Sequence, residues 1–121
     1  MQNICAIRGA TTVEKDSIDN IDLAVKELYE KILELNNLTE DELININFTI
    51  TSDLKSRNPA AALRKSKYAS NVPLFCSQEA EIEGMMGKVI RIMILCYKDK
   101  STVNHVYLHR SACLRKEYAV K

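Results

Sequence analysis

The chain has 121 residues, 46% of them hydrophobic and 27% charged, with a formal net charge of +1. That length predicts one domain over residues 1–121, and so even a balance argues against nucleic acid as the main partner, since phosphate binding shows as a basic surplus or stripe. No segment approaches the roughly 20 apolar residues that span a bilayer, the start MQNICAIRGA lacks the apolar stretch of a signal peptide, and the four cysteines form no CxxC pair or zinc-type cluster; a cytoplasmic chain with reduced thiols and no membrane partner is expected.

Asn3 to Ala10 reads as a first strand, with Ile4, Ala6 and Arg8 on one side and Cys5 and Ile7 on the other. Asp16 or Ser17 can cap the helix that follows. Ile18, Ile21, Val25, Leu28, Ile32 and Leu35 recur at spacings of three and four, which predicts an amphipathic helix with that stripe in the core. Asn36 and Asn37 suit a left-handed exit. Thr39 and Glu42 have capping-box spacing and predict a single turn. In ININFTIT, Ile44, Ile46, Phe48 and Ile50 alternate with Asn45, Asn47, Thr49 and Thr51. That pattern is a half-buried strand. Its second face is polar yet uncharged, which suits a wet interior or a subunit contact.

Pro59 can open a short helix, PAAALRKSKY, whose Arg64, Lys65 and Lys67 form the most basic local patch. A short strand is predicted over Val72–Cys76 and a turn around Gly84 and Gly87. Lys88 to Tyr97, KVIRIMILCY, is an apolar run with one charge inside it, Arg91. The predicted alternation puts Val89, Arg91, Met93 and Leu95 on one face and Ile90, Ile92, Ile94 and Cys96 on the other. A turn at 98–102 leads to a last strand over Val103–Leu108, with His105 and His109 on one face, and then a tail. The elements predict an α+β fold: a single mixed sheet covered on one face by the long helix.

A guanidinium stays charged on burial, so Arg91 must meet an anion, several acceptors or water. A strand arginine can be a solvent-reaching guard against aggregation, half of a structural ion pair, or part of an anion site. Arg8 is a second cation on a strand, predicted to share the sheet face that the helix leaves uncovered. Two or three arginines there would suit a dicarboxylate or a phosphate. No Ser-His-Asp pattern, glycine-rich phosphate loop, HExxH or metal-type carboxylate cluster is present. Cys76 as a nucleophile and His105 or His109 as an acid or base lack partner motifs. Catalysis here would work by placing charge.

Several segments together resemble the trimeric, non-helical AroH class of chorismate mutases. They are AIRGATTVEKD, NPAAALR, VPLFCSQE, VIRIMI and HVYLHRSACLR, in that order over nearly the whole chain. The resemblance implies a homotrimeric pseudo-α/β-barrel with active sites between adjacent subunits, acting on chorismate to give prephenate with neither cofactor nor metal. It implies that Arg91 stands at the ether oxygen and the side-chain carboxylate, and that Arg8 binds that carboxylate. Glu79 accepts from the ring hydroxyl, with Cys76 near the same group, and Tyr107 bonds a carboxylate. Arg64 lies at the mouth, Leu74 and Phe75 line the pocket, and Leu114 and Arg115 belong to a tail that closes the site. Asn58 and Ala61 depart from the family's pattern, which has an aromatic wall residue and often a lysine there. Two other readings carry different chemistry: a trimeric imine deaminase of the Rid type, whose late proline-rich arginine motif is not evident, and a non-catalytic module that binds dicarboxylates.

Overall fold

The computed structural model describes residues 3–99 and 103–120. Seven elements follow in chain order: β1 (Ile4–Thr12), α1 (Ile18–Asn36), β2 (Leu43–Ile50), α2 (Pro59–Lys65), β3 (Leu74–Gln78), β4 (Val89–Tyr97) and β5 (Val106–Tyr107). The strands form one mixed sheet in the order β3-β2-β4-β1-β5. β4 runs antiparallel to both β1 and β2, whereas the β2–β3 and β1–β5 pairs are parallel. No helix among the described residues is long and apolar enough to cross a membrane.

Alternation on the central strands decides which face is covered. Ile90, Ile92 and Ile94 are buried, as are Ile7 on β1 and Ile46 and Phe48 on β2. They face α1, whose Ile21, Val25, Leu28 and Ile32 are also fully buried. Each such side chain contributes on the order of 2 kcal/mol by leaving water. The stripe expected over 18–35 is shorter than its periodicity suggests, because Ile18 and Leu35 at its two ends are 45% and 41% exposed. The end of the helix is held by polar contacts instead: Asn36 is buried and donates to the Asn104 carbonyl at 2.9 Å.

The helix boundaries follow local chemistry. Ser17 Oγ accepts the Asn20 N–H at 3.1 Å, and Asn37 leaves in the left-handed conformation at φ 51°. Asp16, the alternative cap, instead accepts the backbone N–H groups of Lys55 and Ser56 and the Ser56 hydroxyl. Asn58 caps α2 by accepting the Ala60 N–H at 2.8 Å. The capping box of Thr39 and Glu42 is present around one 3₁₀ turn.

Three expected strands shift. β1 runs two residues further than Ala10, because Thr11 and Thr12 stay paired with Ile90 and Val89. The segment expected at Val72–Cys76 pairs instead over Leu74–Gln78, where β2 offers its edge. The last strand keeps only Val106 and Tyr107 of the expected Val103–Leu108. His109 has φ 55° and opens a 3₁₀ turn over His109–Cys113, so it leaves the strand line. Of the turn expected at 98–102, residues 100–102 lie outside the described residues, as does Lys121 at the end of the tail. A bulge between Leu43 and Asn45 turns Leu43, and not Ile44, into the core.

Gly9 lies where the sheet packs tightly under α1. A Cβ there would lie 2.9 Å from the Val106 carbonyl oxygen and 3.0 Å from side-chain carbons of Ile32 and Ile92. Gly9→Ala is therefore expected to cost about 1–3 kcal/mol through overpacking. Thermal unfolding followed by circular dichroism should show a melting point several degrees lower; an unchanged melting curve would mean that the sheet and helix can part without penalty.

Candidate active site

The sheet face turned away from α1 carries a cleft of about 300 Å³, with Arg8, Asn47, Thr49, Glu79, Arg91 and Tyr107 in its wall. Its floor follows from strand register. Thr49 stands opposite Arg91 on β4, Ala10 lies on the far side of Arg91, and Tyr107 pairs with Ala10. One row across four strands thus reads Thr49, Arg91, Ala10, Tyr107. Ala10, between the guanidinium and the phenol in this row, is fully buried. Arg8 stands in the next row beside Met93, and Asn47 is opposite Met93 on the other side.

Arg91 is half-buried and meets an anion from its own chain. Its Nε lies 2.7 Å from Glu79 Oε1. The same oxygen accepts the Thr49 hydroxyl at 2.7 Å. Glu79 follows β3, and its N–H donates to the Ile50 carbonyl at 2.9 Å, which ties it to β2. Arg8 differs: among the described residues its guanidinium makes neither an ion pair nor a hydrogen bond. The cleft therefore holds two guanidiniums and one carboxylate, a net positive charge. A larger hollow of about 470 Å³ is bordered by Asp53, Glu81 and Glu83 and would repel an anion.

Of the expected site residues, Arg8, Glu79, Arg91 and Tyr107 come together in this cleft. The others stand elsewhere on the chain. Arg64 is exposed on α2. Phe75 is 76% exposed on β3, in register with Asn47. Leu74 and Cys76 are in register with Ile46 and Phe48 and pack against the core from the helix side of the sheet. Burial pushes the Cys76 thiol above its ordinary range, so it is a poor thiolate as well as being on the opposite face from Arg91. Arg115 pairs with Glu117 and lies over the Tyr118 ring at 4.7 Å. Tyr118 stacks at 6.1 Å on Tyr107, and Ala119 bridges to Tyr107. The 3₁₀ turns holding Leu114 and Arg115 are thus pinned beside the cleft by Tyr118.

Neither histidine lies in the cleft wall. His105 Nδ1 accepts the Arg8 backbone N–H at 3.0 Å, so its ring proton belongs on Nε2. Burial, helped by the nearby Arg8 and Arg115, holds its pKa below the usual imidazole value. His105 is a neutral strut under Arg8. His109 Nε2 lies 2.7 Å from Glu27 on α1.

Thr49 and Asn47 were absent from the expected site. Their signal was the uncharged polar face of ININFTIT. It marks a face, but only the non-local register shows that this face meets Arg91.

Comparison with known proteins points to one family. The model of the family "Chorismate mutase type I" matches residues 4–118. The chain is 35% identical to chorismate mutase AroH of Bacillus subtilis (strain 168) over 119 residues, 97% of this chain and 94% of that one. It is 40% identical to chorismate mutase AroH of Thermus thermophilus over 114 residues, 92% and 93% of the two chains. A solved structure of the chorismate mutase from Clostridium thermocellum superposes with a TM-score of 0.85 at 39% identity, covering 90% of this chain and 98% of that one. Matched by the family model over nearly its whole length and by relatives at 35% and 40% identity, the chain belongs to the type I chorismate mutase family.

Proposed function

We propose that the cleft around Arg91 rearranges chorismate to prephenate, in one domain over residues 1–121 that works in the cytoplasm without a cofactor. The observation that carries the reading is Arg91 itself, fixed by Glu79 beside the unpaired Arg8. Chorismate is a dicarboxylate with an enol-ether oxygen and a ring hydroxyl. Its [3,3] shift is concerted, so no nucleophile or proton transfer is needed. The C–O bond breaks ahead of C–C bond formation, and the ether oxygen gains negative charge while the ring gains positive charge. A cation held next to that oxygen lowers the transition state more than the ground state. Arg91 takes this role. Arg8 and Tyr107 hold carboxylate, and Glu79 accepts the ring hydroxyl and offsets the positive ring. Binding also folds the flexible side chain over the ring, which supplies orientation.

The same reading makes the working unit a homotrimer, with the cleft closed by a neighbouring copy. The uncovered sheet face exposes Ile4, Met93, Tyr97 and Phe75, an apolar patch that favours a partner surface. Arg64 and Phe75 are exposed away from the cleft of their own chain. In the trimer they reach the cleft of the next copy. Leu114 and Arg115, held near Tyr107 through Tyr118, close their own side.

Incubation with chorismate, followed as loss of its ultraviolet absorbance with prephenate identified as the product, tests the activity; binding without turnover would instead favour a dicarboxylate-binding module. Arg91→Ala should lose at least about 3 kcal/mol of transition-state stabilisation, more than a hundredfold in kcat, with its circular dichroism spectrum kept. Near-normal turnover in that variant would remove the electrostatic account. Cys76→Ser should stay within a few-fold of the parent enzyme, because its thiol takes no part in bond making; a folded but inactive variant would argue for a different mechanism. Tyr97→Asp, which puts a charge on the uncovered face away from the cleft wall, should convert a particle of about three times the 13.7 kDa chain mass into monomers in sedimentation equilibrium and abolish turnover. A parent chain that sediments as a monomer would overturn the trimer.

A further inference from the structure

We infer that Thr49 is a positioning residue for Glu79, and rest this on the role proposed for Glu79 above. Among the described residues the Glu79 carboxylate is the one anion in the cleft wall, and its two oxygens differ. Oε1 receives two donors, the Thr49 hydroxyl and Arg91 Nε, both at 2.7 Å. Oε2 makes no hydrogen bond among the described residues. The side chain is largely buried, at 17% exposure, so water alone cannot orient it. With Oε1 saturated, Oε2 is the oxygen left to accept a donor on the ligand.

Thr49 suits this task for reasons that lie in the sheet. β2 is flanked on both sides, by β3 and β4, and Thr49 pairs with Ser77 on one and Arg91 on the other. Its backbone cannot drift. A β-branched side chain on a strand has few χ1 choices, so the hydroxyl is held where the backbone puts it. The next residue, Ile50, receives the Glu79 N–H. β2 therefore grips Glu79 at its main chain through Ile50 and at its carboxylate through Thr49. Without the hydroxyl, Arg91 alone would hold Oε1. The carboxylate could then rotate about that single contact, and Arg91 would lose the fixed counter-ion that sets its own direction.

The test pairs two readouts. In turnover of chorismate, Thr49→Val, which keeps the shape and removes the hydroxyl, should lower kcat about tenfold with a smaller change in KM, the scale of one hydrogen bond to a charged group. Thr49→Ser should restore most of the loss. In a Glu79→Gln background Thr49→Val should cost little more, because its effect runs through the carboxylate. An equal loss in that background, or no recovery with serine, would make Thr49 merely structural. The second readout needs no activity. With ¹³C-labelled glutamate, the Glu79 carboxyl resonance of the unliganded protein, assigned by its loss in Glu79→Gln, should move in Thr49→Val and return in Thr49→Ser. An unmoved resonance overturns the inference even if chorismate is turned over. A moved resonance in a protein inert to chorismate upholds the contact while the proposed reaction fails.

Discussion

The ion pair between Arg91 and Glu79 ties the central strand of the sheet to the end of an edge strand. Either partner alone would be costly. A half-buried guanidinium without an anion, or a largely buried carboxylate without donors, loses several kcal/mol of hydration. Together, with the Thr49 hydroxyl on the shared oxygen, they satisfy one another and still leave the terminal nitrogens of Arg91 facing the cleft. The pair depends in turn on register. Sliding β4 by one residue against β1 and β2 would send Arg91 into the helix-facing core and bring Ile90 or Ile92 to the cleft. The apolar content of β4 thus acts on the chemistry as well as on stability, since burial of Ile90, Ile92 and Ile94 under α1 is what forbids the slip.

The two faces of the sheet have divided their labour. On the helix side, packing is close enough that Gly9 is needed where Ile32 and Ile92 meet the backbone. On the other side the same strands present Arg8, Arg91, Asn47, Thr49 and Met93 around a cleft, and farther out an apolar surface with Ile4 and Tyr97 exposed. Charged and polar residues give the cleft its chemistry, and apolar ones continue outward from its wall. A surface of this kind suits closure by another protein surface, which would raise the strength of every charge inside by excluding water.

Much of this could be read from the residues, and the reasons for the misses are physical. The α1 stripe, its Ser17 and Asn37 ends and the β2 and β4 alternations are local patterns with a period. They located the helix, the covered face and the placement of Arg8 and Arg91 together. The errors fall where non-local pairing overrides local propensity. Val103–Leu108 looks like a strand, but β1 accepts only Val106 and Tyr107 before His109 turns away. Cys76 lies in a segment that resembles the family, yet its register with Phe48 puts it on the helix side within its own chain. Thr49 is an ordinary strand residue until β2 is set beside β4. No spacing in the sequence announces a bond between residues thirty positions apart on strands joined by a helix.

The arrangement of charge in the cleft follows a consistent logic. A fully paired set of ions would bind a dianion poorly, because each new contact would first have to break an old one. A fully unpaired set would strain the fold through mutual repulsion. Here Arg91 is held by Glu79 through Nε, whereas Arg8 is braced only at its backbone, where His105 accepts its N–H. The low pKa of His105 keeps that brace neutral and adds no further positive charge. A second cation at this position would repel Arg8 and remove the acceptor at once. Among the described residues the cleft thus has one cation fixed in direction and one without an ion-pair partner, a division that fits the role proposed above for an anionic substrate with one reacting oxygen.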